Sequence, residues 1–270
     1  MHSAPSPRNA ALEESPLTTP TVRRKQRFRL GLTLWLVTLV VVFALLLVPI
    51  QTNIGRWGIV FGAVGLWVGG LTLFWRSLVL RILFIAPFLL AGLLVFVPPV
   101  RTDVAALRGA YVRSLTGYEG TPYLWGGESR WGADCSGLLR RALIDALFSE
   151  GIRNRDLAEL RTGAALWWYD ASADALGREY QGRTVTQFDA ASLIEVDYEL
   201  LQPGDLAVVL SGKHILGYLG ERRWIDADPK QKKTVLETVP SQTLWFTMPA
   251  RIVRWRRLMD ESVSTPARLR

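Results

Sequence analysis

Three long apolar runs occupy the first hundred residues. Residues 30–50 form a 21-residue run, residues 57–75 a second and residues 82–98 a shorter third, and none contains a charged side chain. About 20 apolar residues in a helix cross the roughly 30 Å of bilayer hydrocarbon. The pattern therefore predicts three membrane-spanning helices, the third carrying Pro87, which can kink it. The apolar core of a signal peptide is about 7–15 residues, shorter than the first run. No small-residue cleavage pattern follows Ile50.

After residue 100 the apolar positions become periodic. Asp103 is placed to cap a helix running to about Leu115, with Val104, Leu107, Ala110 or Tyr111, and Leu115 on one face. Residues 117–132, with five glycines and a proline, read as turns. Between residues 136 and 148, Leu138, Leu139, Ala142, Leu143, Ala146 and Leu147 recur at helical spacing, and Arg140, Arg141 and Asp145 fall on the other face. A further helix is expected near residues 157–168, followed by a polar, glycine-containing stretch to residue 186. Short strands are then expected at 206–210, 214–219, 223–226, 234–238 and 250–255. Turn signals separate the earlier ones: Pro203-Gly204-Asp205, Ser211-Gly212-Lys213 and Gly220-Glu221-Arg222. Helices followed by an antiparallel sheet define an α+β domain, long enough to bury one proper core.

Charge adds an orientation. The net charge of +8 invites a nucleic-acid partner, but residues 101–270 hold 23 Lys/Arg against 22 Asp/Glu, so the folded part is nearly neutral and no nucleic acid is expected. The excess lies in Arg23, Arg24, Lys25, Arg27 and Arg29 ahead of the first run, and in Arg76 and Arg81 between the second and third. Only Arg56 lies between the first two. With three spans the two basic clusters share a side, which the positive-inside rule makes cytoplasmic. Residues 101–270 then emerge on the outer face; with two spans they would stay inside. Residues 1–22, rich in Pro, Ser and Thr, read as a disordered part of a basic cytoplasmic tail spanning 1–29.

The chain has one cysteine, Cys135, at the start of the helix near 136–148. Its two histidines are His2, in the tail, and His214. Thiol–imidazole chemistry therefore has a single available pair, Cys135 with His214. A helix start favours a thiolate, and an imidazole can accept its proton. Most free cysteines are buried structural residues, but small and polar neighbours on both sides of Cys135 weigh against that reading. A lone cysteine also cannot form an intrachain disulfide in an oxidising compartment.

Tyr123-Leu124-Trp125-Gly126-Gly127, Gly132-Ala133-Asp134-Cys135-Ser136-Gly137-Leu138, Leu201-Gln202-Pro203-Gly204-Asp205-Leu206, His214 and Tyr218-Leu219-Gly220 resemble, in this order, the motifs of the NlpC/P60 cysteine peptidases. The resemblance runs over about residues 111–228. It implies a papain-like α+β fold that cleaves peptide bonds in bacterial peptidoglycan stem peptides, commonly next to D-glutamate, with no cofactor and no metal. It also implies Cys135 as nucleophile and His214 as base and acid. The polar residue that orients the histidine, usually His, Asn or Gln, corresponds to Asp226, with Asp228 as rival. Tyr123 would support the oxyanion or hold substrate, and Asp134 and Ser136 would contact the free amino end of the peptide. Helix capping by Asp134 and simple packing of Tyr123 are the alternatives.

The 78 residues between Cys135 and His214 exceed what a compact member of that family needs. The surplus falls at about 151–191, where Trp167, Trp168, Tyr169 and Tyr180 make either a lid over the cleft or a satellite hydrophobic cluster. The leading expectation is a membrane-anchored cell-wall hydrolase on the periplasmic or extracellular side of a bacterial cytoplasmic membrane. The alternatives are an acyltransferase or amidase on the same fold, acting on a lipid or small amide, and a non-catalytic wall-binding scaffold. Three helices are more than a tether needs, so a membrane-protein partner is also expected.

Overall fold

The structure, a computed structural model, describes residues 20–94 and 103–259. Most of the tail expected to be disordered, and residues 95–98 of the third apolar run, lie outside the described residues. Helices α1 (Pro20–Leu47), α2 (Asn53–Phe74) and α3 (Leu78–Leu94) follow the three runs. Two stretches, Arg23–Leu47 and Asn53–Phe74, are long and apolar enough to cross a membrane among the described residues. The third helix is shorter, at 17 residues, so the expectation of three spans is met clearly for two. Pro87 lies inside α3 without ending it.

Small residues let these helices approach. A Cβ on Gly62 would lie 2.3 Å from Val42, and one on Gly70 would lie 2.3 Å from the Phe84 ring. Indole N–H groups bridge the helices, Trp35 donating to the Leu66 carbonyl at 2.8 Å and Trp67 to that of Phe84 at 2.9 Å.

The domain starts with α4 (Val104–Thr116), capped by Asp103, whose side chain accepts from the Ala106 N–H at 3.0 Å. A short hairpin, β1 (Glu128–Ser129) and β2 (Gly132–Ala133), precedes α5 (Cys135–Asn154); α6 (Leu157–Trp168) and α7 (Ala173–Gly177) follow. The main sheet comprises β3 (Thr184–Ala190), β4 (Leu206–Val209), β5 (Ile215–Gly220), β6 (Arg223–Asp228), β7 (Lys233–Thr238) and β8 (Ala250–Trp255), with α8 (Leu244–Thr247) between the last two strands. Its order is β3-β8-β4-β5-β6-β7, all antiparallel.

Strand alternation sends successive side chains to opposite faces. Ile215, Leu219, Ile225 and Ala227 join Leu107, Tyr111, Leu138, Leu139 and Leu143 in a core on the helical side. Leu216, Tyr218 and Trp224 join Leu193, Phe246 and Ile252 on the other.

Two expectations need correction. Strand β3 was not expected: it begins in a stretch read as polar, and it pairs only with β8 at the sheet edge, so its apolar alternation is weak. Arg140 was expected on the exposed face of its helix but is buried: its guanidinium meets Glu128 and Asp170 and donates to the Leu166 carbonyl at 3.0 Å. Ion pairing within the domain overrides the helical pattern there.

The apolar helices and the domain touch. The Glu128 N–H donates to the Pro49 carbonyl at 2.9 Å, Ile50 pairs antiparallel with Gly127, and Trp57 meets Trp168 edge-on at 4.7 Å. Trp168 therefore packs on α2, and Trp167 on the helical core of the domain.

Candidate active site

The turn-rich stretch runs beside the main sheet and joins it through an isolated bridge. Gly120 and Thr121 exchange hydrogen bonds with Thr234, and the Tyr123 N–H donates to the Lys232 carbonyl at 2.8 Å. On its other side, Ala133 donates to Pro122 and Leu124 to Ala133, both at 3.1 Å. Residues 120–124 thus tie the start of α5 to the edge of β7.

Asp134 is the N-cap of α5. One carboxylate oxygen accepts from the Gly137 N–H at 2.6 Å and the Ser136 hydroxyl at 3.1 Å, and the other from the Gly126 N–H at 2.8 Å. The Asp134 N–H donates in turn to the Gly127 carbonyl at 3.0 Å. That carbonyl lies against the first turn of α5, where a Cβ on Gly137 would come within 2.1 Å of it. Only glycine permits this approach.

Cys135 is buried at the head of α5, and its sulfur receives the N–H groups of Ile215 and Ser136. Ile215 follows His214 directly, so the thiol lies at the entrance to β5, where the imidazole is attached. Burial pushes the Cys135 thiol up to about 12, the Asp134 charge adds to this, and the two N–H groups oppose it. Desolvation therefore outweighs the helix start, and the resting thiol keeps its proton at neutral pH.

His214 is buried, and its Nε2 lies 2.7 Å from Oδ2 of Asp226. The ring stacks on Trp245 with centroids 4.1 Å apart. With Nε2 engaged, Nδ1 remains for proton transfer. Burial raises the Asp226 carboxyl above its usual range, and the hydrogen bond from His214 holds it back. Asp228 is also buried, but its carboxylate accepts from the Lys230 N–H at 2.7 Å in the following turn. His214 and Asp226 share parity across the β5–β6 pair, so strand alternation puts both on one face.

Tyr123 is part-buried, and its hydroxyl is pushed up to about 12, by burial first and then by the charges of Cys135 and Asp134. It keeps its proton and can donate. Cys135, His214, Asp226, Tyr123, Asp134 and Ser136 thus come from separate stretches of sequence into one region of the fold. Trp245, Arg56 and Glu128 were not singled out as site residues. Trp245 sits in a four-residue helix without periodicity. A usable signal existed for the other two, because Arg56 is the sole charge between the first two apolar runs and Glu128 is the acid next to Gly126-Gly127.

A thiol at a helix start, beside the strand that follows an aspartate-bonded histidine, marks a thiol-bearing α+β domain. The model of the NlpC/P60 family matches residues 120–251, which contain all six of these residues, and the chain carries an NlpC/P60 domain over that stretch. Among solved structures, it is similar to an NlpC/P60 family protein from Bacillus cereus (18% identity, 55% of this chain and 40% of that one, TM-score 0.37). It is also similar to the peptidoglycan hydrolase RipB from Mycobacterium tuberculosis (18%, 60% and 69%, TM-score 0.37). A third is the NlpC/P60 domain of the peptidoglycan hydrolase SagA (23%, 54% and 97%, TM-score 0.31). The chain spans less than half of the Bacillus cereus protein. No curated protein matches it.

Proposed function

We propose that the chain is a membrane-anchored thiol peptidase that cleaves peptide bonds in peptidoglycan stem peptides. The observation that carries this reading is the thiol of Cys135 at the N–H of Ile215, next to a histidine whose Nε2 is fixed by Asp226. In the proposed reaction, Nδ1 of His214 takes the Cys135 proton as the sulfur attacks the scissile carbonyl carbon. General-base attack suits this site because the thiol is protonated at rest. Asp226 steadies the imidazolium, and the Cys135 N–H and the Tyr123 hydroxyl receive the developing oxyanion. Collapse expels the amine, which takes the proton from His214. Water, activated by the same imidazole, then cleaves the thioester, releasing the acid and restoring the thiol. Ser136 and the carboxylate of Asp134, beyond its capping role, are assigned to the free amino end of the peptide.

The site is assigned to the outer face of a bacterial cytoplasmic membrane, with three spans. Residues 48–52 join α1 to α2 and so mark one surface of the bilayer, and the domain pairs with Pro49 and Ile50. Loop and domain share a side only if both α2 and α3 cross. A two-span chain would put them on opposite sides. The basic cluster at the head of α1 makes the loop side external.

The test uses the full chain in lipid nanodiscs, with Cys135 intact and as Cys135→Ala, incubated with peptidoglycan fragments and followed by mass spectrometry. Peptide release by the intact protein alone is expected. Release by both forms, or by neither, sinks the reading, and transfer of an acyl group from an activated lipid to the thiol would move the assignment to acyl transfer.

A further inference from the structure

Arg56 lies in the first turn of α2, a helix otherwise apolar enough for a bilayer, and is 2% exposed. A buried cation on such a helix is costly, and its partner shows what it serves. That partner comes from the catalytic domain: Nη2 of Arg56 donates to Oε1 of Glu128 at 2.9 Å, 72 positions further along the chain. Glu128 also accepts from Arg140 of α5 at 3.2 Å, and Arg140 continues to Asp170. A chain of buried charges therefore runs from a membrane helix into the helix that carries Cys135.

The backbone follows the same path. Glu128 donates to Pro49 and its neighbour Gly127 pairs with Ile50, so one edge of this residue pair is held by the segment between α1 and α2. Gly127 in turn receives the Asp134 N–H at 3.0 Å and lies under Gly137. From Arg56 to the nucleophile the route is Glu128, Gly127, Asp134 and Cys135, with a hydrogen bond or a peptide bond at every step.

We propose that Arg56 is a positioning residue for Cys135, acting through Glu128 and Gly127, so that the membrane helices complete the active site as well as anchoring it. The proposal rests on Cys135 being the nucleophile. It gives a function to the contact between anchor and domain: the catalytic loop is set only when docked on the segment leaving the bilayer, which ties thiol chemistry to the membrane surface.

The test compares the full chain with Arg56→Met and Arg56→Lys in nanodiscs. Glu128 keeps Arg140 when Arg56 is replaced, so the Met variant is expected to fold. Two readouts are taken: kcat and KM on peptidoglycan fragments, and the rate of alkylation of the single cysteine by iodoacetamide across pH. Arg56→Met is expected to lower kcat about tenfold with KM within twofold and to change the alkylation profile, and Arg56→Lys to recover at least half of the loss. Unchanged kcat and alkylation in a folded Met variant would overturn the proposal. So would kcat, KM and melting temperature falling together without rescue by Lys. If Arg56→Met does not fold, Arg56→Gln decides by the same criteria. If the parent protein is alkylated but releases no peptide, the hydrolase reading fails, and the alkylation comparison still decides the role of Arg56.

Discussion

In α1 to α3, Val40, Val79 and Leu89 each expose two thirds or more of their surface, whereas in the domain Leu107, Leu138, Leu139 and Ile215 expose none. Single glycines differ as sharply: a Cβ on Gly65 or Gly92 would meet nothing within 4 Å, although Gly62 and Gly70 sit at helix contacts, while one on Gly137 would come within 2.1 Å of a backbone oxygen. On the proposed membrane reading, α1 to α3 are specified by length and composition over much of their surface, because lipid tolerates many side chains. The domain is specified by contacts that fix individual atoms. Between them lies a patch where an arginine of α2 is buried, with 2% of its surface exposed. The proposed role of Arg56 extends the requirements of the active site past the domain boundary into the apolar helices.

The contrast breaks most sharply at Gly137. Gly137→Ala would force the first turn of α5 off the Gly127 carbonyl and press on Oδ1 of Asp134, 3.1 Å from the added carbon. Overpacking of this kind costs about 1–3 kcal/mol, and the upper end is expected because the opposing atom is backbone. Thermal unfolding should show the loss, and peptide release should fall with it, since Cys135 moves with that turn. An Ala variant with unchanged melting and activity would show that the close approach does not govern the site.

Much of this arrangement was legible in the sequence. Helical spacing from Leu138 to Leu147 marked α5, and alternation marked five of the six main strands, because apolar side chains on those elements face two continuous cores. The solitary Cys135 and His214, the one histidine outside the tail, pointed to the same site. What escaped the pattern was polar or aperiodic. Strand β3 is an edge strand with a polar sequence, Arg140 is buried by partners far away in sequence, and Trp245 stacks on His214 from a helix of four residues. The Arg56–Glu128 pair escaped for a further reason: it joins regions that hydropathy separates, so the acid that pairs with Arg56 lies outside the segment of Arg56.

A smaller effect, in pH, tests how the domain treats its thiol. Burial holds Cys135 up to about 12, so in substrate-free protein the thiolate fraction should rise about tenfold per pH unit from 7 to 10. The alkylation rate should follow it without a plateau. A plateau near neutrality would reveal a resting thiolate–imidazolium pair and invert the general-base step. The stability consequence has a definite sign. The folded-state value exceeds the unfolded one, about 8.5, so the unfolded chain releases the proton first, and stability should decline as pH rises from about 9 toward 12.

The smallest expected effect is at Gly65, in the middle of α2 and exposed, with no neighbour within 4 Å of an added Cβ. Alanine costs about 0.5–1 kcal/mol less than glycine in a helix interior, and nothing in the fold opposes the new methyl group. Gly65→Ala should therefore leave the nanodisc-embedded protein equally or slightly more stable, with peptide release unchanged. A clear loss of stability or activity would mean that this face of α2 is covered in the membrane by another helix, because close packing against glycine is what a methyl group disrupts. Copurification of a second chain, lost in the variant, would identify that neighbour. Lipid on that face predicts neither result. The comparison between a region set by composition and one set by contacts then depends on a single carbon atom: harmless at Gly65 if lipid lies there, damaging at Gly137 because a carbonyl does.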